Sequence, residues 1–346
     1  MKMKGAKIAL TAFTSLALLL AGCGGGAETS NTPANNGSQT GSGSETPSAE
    51  TFTIRAVSAW PETNELASPI FMFQEKLEEK SEGRLKIEYL GGPEVVPAAD
   101  QAEAVKNGIA DMALTTGSYY ASQMPEAYVL DFSEMTPQEE RENGGFEFLQ
   151  QLHEQKVGVT YIGRAPGREY ALYTVDEVKT SADFNGKMMR ATGVYIPLLE
   201  ALGAQYTNIP GGEIYSALER NIVEGVAWPE LGTTDFSLQD HLRYKVKPTF
   251  WQTGTSFVMN TSVWNELPDD LKEIVLEVAV EVEQENPGVM KEVIEAEDKV
   301  LIEAGVQIVT LEDADQYTQT ANDSAWNWFK GIANENYDKL AELFRK

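Results

Sequence analysis

The chain has 346 residues, with 53 acidic against 27 basic side chains and a formal net charge of −26. So acidic a surface repels nucleic acid and anionic membrane faces. A single cysteine leaves no intrachain disulfide, so the fold must rest on a hydrophobic core, and the length suffices for roughly two domains.

Lys2, Lys4 and Lys7 precede an uncharged run from Ile8 to Leu20, too short to span a bilayer, which ends in "LAGC", Leu20 to Cys23. Residues 1–22 therefore read as a secretory signal peptide. The small pair Ala21 and Gly22 ahead of a cysteine resembles a bacterial lipoprotein signal. That resemblance implies that Cys23 becomes the lipidated first residue of the mature chain, held to the outer face of the cell membrane by this lipid alone. An ordinary signal peptide with a stray cysteine is the alternative. Cleavage there removes three lysines and leaves 24 basic groups against 53 acidic ones, a net of −29. A lipidated Cys23 leaves no thiol for redox work or nucleophilic catalysis. Residues 23–51 form the next unit: from Gly24 to Glu50 there is no aromatic residue and no aliphatic one larger than alanine. Such a segment cannot bury enough apolar area to offset its ordering entropy, and it reads as a flexible tether reaching about 30 Å.

From "TFTIRAVSAW" onward short β-rich runs alternate with helical ones. "FTIRAVS" precedes an amphipathic segment around Pro69 to Lys80, then come "GRLKIEYL", a helical "PAADQAEAVKNG" and "ADMALTT". The alternation predicts parallel strands with covering helices. A second series, "VGVTYIG", "REYALYTV", "GKMMRAT", "AQYTNIP" and "EGVAWP", carries helices at Ile196–Leu202 and Glu213–Arg220, so two α/β units of similar size are expected. Between Pro268 and Ala304, Leu271, Ile274, Val275, Val278 and Val282 keep one apolar face, and Met290, Val293, Ile294 and Leu301 resume it beyond Pro287. This predicts one long helix, bent or broken near Pro287 and stopping at Gly305, spanning about 50 Å, enough to brace both units. A strand "VQIVT" and a helix from Ala314 to Phe344 close the chain.

No G-x-S-x-G elbow, H-E-x-x-H, Walker loop or EF-hand loop occurs, and no G-x-G-x-x-G follows a strand. Of the two histidines, His153 falls in the polar helical text "FEFLQQLHEQK", which reads as a solvated face, and His241 lies among polar residues. No catalytic set, cofactor site or metal site emerges. In open α/β sheets, however, ligands bind beyond the carboxyl ends of strands. The residues there are Trp60, Tyr119 and Tyr120 from the first unit, and Arg190 and Trp228 from the second. Aromatic walls around one fixed cation describe a cleft for a small organic anion. Each also has a plainer reading: Trp60 and Trp228, both followed by proline, as packing; Arg190 as a solvated strand end or an ion-pair partner. Tyr119 and Tyr120 point opposite ways if extended, so at most one faces a ligand.

The stretch "DFNGKMMRATGVYIPLLEALGAQYTNIPGGEIYSALERNIVEG", Asp183 to Gly225, resembles the D-x-x-G-x-K-x-R, L-G-A, E-x-Y-x-A-L and V-x-G succession of the DctP class, the substrate-binding proteins of tripartite ATP-independent periplasmic (TRAP) transporters. "KSEGRLKIEYLGG", "EAVKNGIADMAL" and "VMNTSVWNELPDDLKEIV" support the likeness, which runs from about Phe52 to Trp328. It implies a two-lobed α/β Venus-flytrap fold with a long helix spanning both lobes. The lobes would be residues 52–167 with about 256–287, and 168–255 with about 288–346. It further implies a monomeric receptor, not an enzyme, that delivers a small organic acid to the small and large membrane subunits of a permease driven by an ion gradient. By position, Arg190 would bind the substrate carboxylate and Arg168 would be a second contact, with Arg164 as its rival. Trp228 stands where many relatives place an Asn or Glu, and Trp251 and Phe257 are weaker wall candidates. An ABC-type receptor, a sensory lipoprotein or an exported hydrolase are the competing readings.

Overall fold

The first sheet is built around β1 (Phe52–Ser58), whose alternate residues Ile54 and Ala56 are fully buried while Phe52 and Arg55 reach the surface. A computed structural model describes residues 50–346; Cys23, the leader and almost all of the tether lie outside the described residues. Helix α1 (Ser68–Lys80) opens with a proline in its first turn, where the missing N–H is harmless, and returns the chain to β2 (Leu85–Gly91). Then α2 (Gln101–Lys106) leads to β3 (Met112–Thr116), a strand buried along its whole length. Four short helices follow, α3 (Gly117–Tyr120), α4 (Val129–Phe132), α5 (Pro137–Glu142) and α6 (Gly145–Leu152), before β4 (Val159–Arg164). The chain then crosses through Ala165–Arg168 into the second sheet.

That sheet begins with β5 (Glu169–Thr174) and continues through β6 (Met188–Arg190), α7 (Ile196–Ala201), β7 (Gln205–Thr207), α8 (Ile214–Glu219), β8 (Gly225–Pro229) and β9 (Tyr244–Gln252). Thr253 and Gly254 carry the chain back to β10 (Thr255–Asn260), which is followed by α9 (Thr261–Glu266), α10 (Asp269–Glu303), β11 (Gln307–Thr310), α11 (Ala314–Ile332) and α12 (Tyr337–Phe344). The strand orders are β2-β1-β3-β10-β4 and β11-β9-β5-β8-β6-β7. The expected all-parallel pairing is corrected here: β10 runs antiparallel to both β3 and β4, and β5 antiparallel to β8 and β9. Each of these strands enters its sheet directly from a crossing, so it arrives without the helix that a parallel connection needs.

The long helix α10 is unbroken over 35 residues. Leu271, Val275, Val278, Ala279 and Val282 bury its first half in the core of the first lobe. Its second half meets β11 and the turn at Thr234–Phe236 of the second. Pro287 lies inside it without ending it, on the side facing the crossing. The Asn286 side chain donates to the Pro166 carbonyl, and a Cβ on Gly167, at φ +120°, would lie 2.7 Å from the Pro287 Cα. Only glycine lets backbone approach backbone this closely. Ala333 divides the expected final helix, with Asn334 at φ +49°, and α12 packs against α4 and α6. Among the described residues no helix is long and apolar enough to cross a membrane.

His153 is another correction. It is fully buried, its Nδ1 donating to the Leu149 carbonyl at 2.7 Å, so its Nε2 accepts from the Tyr120 hydroxyl at 2.9 Å. Burial lowers its pKa to about 4 and keeps the ring neutral. It occupies the apolar stripe Phe146, Leu149, His153, Val157, and the charged letters after it face outward.

Candidate functional site

Between the sheets lies a cavity of about 820 Å³, lined from the first lobe by Trp60, Thr116, Ser118, Tyr119 and Tyr128, and from the second by Tyr170, Arg190, Tyr195, Trp228 and Phe236. Thr253 and Thr255 line it at the crossing. Trp60, Tyr119, Arg190 and Trp228 stand at or just after the carboxyl ends of β1, β3, β6 and β8, where an open sheet leaves backbone and side chains free to face a ligand.

Arg190 ends β6 and is only 4% exposed. Its Nε donates to the Ile209 carbonyl at 2.9 Å and its Nη1 weakly to the Ala227 carbonyl at 3.4 Å. Its guanidinium carbon lies over the Trp228 ring, 4.9 Å from the centroid. Burial lowers its pKa and no acid among the described residues opposes that effect, yet an arginine remains charged at neutral pH. Glu224, which accepts from the Met188 amide at 2.8 Å, anchors the start of this strand, and Asn221, at φ +54°, makes the turn between α8 and β8. Trp228 turns its own indole N–H to the Leu231 carbonyl, so it offers the cavity a ring and no donor.

Arg168 is fully buried and does not itself line the cavity. It reaches it through two hydroxyls: Nη2 donates to Thr255 Oγ1 at 2.8 Å and Nε to Thr253 Oγ1 at 3.4 Å. Because both oxygens accept from the guanidinium, their protons are left to donate elsewhere. Burial lowers the Arg168 pKa to about 10, and no carboxylate pairs with it among the described residues. Arg164 differs in kind. It is 1% exposed, pairs with Glu140 at 2.5 Å, donates to the Leu130 carbonyl at 3.0 Å and lies off the cavity.

Tyr119 is 39% exposed and faces the cleft, whereas Tyr120 is buried in the first lobe against His153 and stays out of it. Trp251 and Phe257 are absent from the lining. Trp251 donates to the Ala321 carbonyl and packs edge-on against Phe132, while Phe257 packs on Phe73. Sequence reasoning missed Thr253 and Thr255, which sit between those two, and Tyr195, which follows β6 and was open to the same strand-end rule. Tyr128 and Phe236 end short 3-10 turns that carry no such signal.

At the floor, Tyr170 meets Tyr195 edge-on at 5.0 Å and donates its hydroxyl to Asp131 Oδ1 at 2.7 Å. Gly254 of the crossing donates to the same oxygen at 2.9 Å, and Asp131 Oδ2 has no partner. Burial raises the Asp131 pKa to about 6, against 3.8 for a free side chain. A raised acid destabilises the fold while ionised; that cost, about 3 kcal/mol at 1.36 kcal/mol per unit, is fully present above pH 6 and relieved as pH falls toward 4. Asp131→Asn is therefore expected to stabilise at pH 7.5 and to show little gain at pH 4; urea unfolding at both values measures the difference, and an equal effect at both would refute the assignment.

At the mouth, Asn64 Nδ2 of the first lobe donates to Asp235 Oδ2 of the second at 3.1 Å. The second lip is pinned by Glu297 of α10, which accepts from the Gly232 and Thr233 amides at 2.7 and 2.9 Å. Asn64→Ala should speed ligand release about fivefold, the equivalent of roughly 1 kcal/mol for one hydrogen bond. Stopped-flow displacement measures it, and an unchanged off-rate would mean the lips do not hold the shut state.

Residues 57–330 match the family model DctP, "Bacterial extracellular solute-binding protein, family 7". A monocarboxylate 2-oxoacid-binding periplasmic protein of Nostoc is 25% identical over 66% of this chain, and the match spans 65% of that protein's length. The crystal structure of DctP7, a Bordetella pertussis extracytoplasmic solute receptor binding pyroglutamic acid, superposes with a TM-score of 0.71 at 15% identity, covering 86% of this chain and 100% of that one. A TRAP periplasmic solute-binding protein from Desulfovibrio salexigens with bound orotic acid gives a TM-score of 0.71 at 18% identity, covering 85% and 97%. These two likenesses carry the fold alone. With most of its folded length matched by the family model, the chain belongs to the DctP family of bacterial extracellular solute-binding proteins.

Proposed function

We propose that this protein is a monomeric extracytoplasmic receptor that closes its two lobes on a small organic acid and delivers it to the small and large membrane subunits of a TRAP-type permease. The observation that carries the reading is a pair of buried guanidiniums, Arg190 on the cleft and Arg168 behind its Thr253 and Thr255, with no acid of their own among the described residues. A buried charge without a partner costs several kcal/mol, roughly, and a fold keeps two of them where a ligand supplies the missing negative charge. Arg190 is the direct contact, its planar fork suited to a carboxylate; Arg168 acts on the same ligand through Thr253 and Thr255. The carboxylates named for the Nostoc, Bordetella and Desulfovibrio proteins support the ligand class.

Closure is a population shift. Contacts from both lobes favour the shut state, and only that difference in affinity does work. The lobes part at 167/168, near 255/256 and near 287/288, and no bond is made or broken in the ligand. The charged leader and the LAGC sequence support lipidation of Cys23 and anchoring at the outer face of the cell membrane, which loss of fatty-acid labelling in Cys23→Ser would test.

A thermal-shift screen of the full chain against mono- and dicarboxylates, sugar acids, amino acids and neutral sugars tests the receptor reading. A ligand at 100 times its dissociation constant stabilises by about 2.7 kcal/mol. One carboxylate class is expected to raise the melting temperature; a response to neutral sugars alone would overturn the reading.

A further inference from the structure

The cavity's lining is selective in what it omits. Among the described residues, the only charged one on its wall apart from Arg190 is Asp235 and the only carboxamide is Asn64, and these two are bonded to each other at 3.1 Å. Nothing like the array of amides and acids that would satisfy several sugar hydroxyls remains. Rings are the largest group among the rest, Trp60, Tyr119, Tyr128, Tyr195, Trp228 and Phe236 among them, beside six serine and threonine hydroxyls. Three or four carbons would leave much of about 820 Å³ unfilled, and unfilled apolar wall forfeits dispersion contacts.

We infer that the ligand of this site is an aromatic carboxylate, its carboxylate on Arg190 and its ring against the Trp228 face. This rests on the organic-acid reading above. The geometry favours a conjugated acid in particular. A guanidinium and a carboxylate pair in one plane, and a ring conjugated to the carboxylate continues that plane. Here the guanidinium already lies over the Trp228 indole, which is itself edge-on to Phe236 at 5.5 Å, so a coplanar ring would extend the same stack. A puckered or sp3 substituent leaves that plane at the first carbon. Thr253 and Thr255, whose oxygens are occupied by Arg168, present hydroxyl protons that suit an acceptor on the ring. Each good ring–ring contact multiplies affinity by a factor of about 2 to 12, so a ligand ring that meets Trp228 and a second ring of the wall should exceed its saturated counterpart by about tenfold.

Calorimetric titration of the full chain with benzoate and cyclohexanecarboxylate, phenylacetate and cyclohexylacetate, and orotate and dihydroorotate separates ring chemistry from size. Pyruvate and galactonate serve as the small-acid and sugar-acid arms. The expected result is at least one aromatic member binding tenfold or more tightly than its saturated partner, with that ratio falling below about threefold in Trp228→Leu and largely kept in Trp228→Phe. Ratios near one, or pyruvate or galactonate binding better than every aromatic acid, overturn the inference and leave the organic-acid reading intact. Absence of binding by every carboxylate overturns both, and equal binding by Arg190→Met removes the arginine contact on which both rest.

Discussion

Replacing Arg190 with methionine is expected to abolish carboxylate recognition and leave the empty protein at least as stable as wild type. Truncating one partner of a buried charge pair costs about 2 to 5 kcal/mol of binding, which is roughly 30-fold to more than 1,000-fold in affinity. Stability moves the other way because no acid among the described residues balances Arg190. Methionine fills a similar volume without the desolvation of a charge, against which stand a 2.9 Å bond to the Ile209 carbonyl, a weak one to Ala227 and the stacking on Trp228. The net change should lie between zero and about 2 kcal/mol of stabilisation. Calorimetry with the acid found by thermal shift, paired with urea unfolding of the free protein, measures both. A variant that binds within threefold of wild type, or that unfolds several kcal/mol more easily, would show Arg190 to be structural.

Much of the fold can be read in the letters, and the misses have local causes. Strands such as Ile54–Val57 and Val226–Trp228 are β-rich runs bounded by turns, and the α10 face repeats at helical spacing. The region from Gly117 to Leu152 gave little beyond its last helical stretch because its helices run only four to eight residues, too short for a period to declare itself. Strand β9 was hidden by Pro248. The proline sits where the pairing jumps from Leu172–Val246 to Tyr170–Phe250, an irregularity that spares a ladder hydrogen bond. That β10 slots between β3 and β4 is a non-local pairing, and no local pattern encodes it.

The site was legible where chemistry follows a strand end, as at Trp60, Arg190 and Trp228, all of which reach the cavity. It failed where the chain changes direction. Trp251 stands at φ +41°, so the alternation of β9 does not carry into β10, and the wall is made by Thr253 and Thr255 rather than by the aromatics on either side. Ranking Arg168 against Arg164 needed partners, which sequence does not supply. Glu140, the partner of Arg164, comes from a separate helix 24 residues earlier.

That partner sets the last expectation. Glu140→Leu should destabilise by about 3 to 5 kcal/mol, because it strands Arg164 as a buried charge without a counterion. Glu140 is 3% exposed and also accepts from the Ser133 hydroxyl at 2.6 Å, so nothing in reach can replace it by a small movement. Glu283, the other buried acid nearby, is already held by Arg141 at 2.7 and 2.8 Å and by the Arg164 amide at 3.0 Å. Adding Arg164→Met should restore most of the loss, since an apolar pair of similar volume replaces a buried ion pair at little cost. The resulting coupling, about 3 kcal/mol, is read from urea unfolding of the two single variants and the double variant. Independent, additive losses would mean that the pair is solvated in solution. The contrast with Arg190 is the diagnostic: a buried arginine that comes with its own acid belongs to the fold, and removing the acid destabilises the protein. One that comes without an acid belongs to the ligand, and removing the arginine costs binding alone.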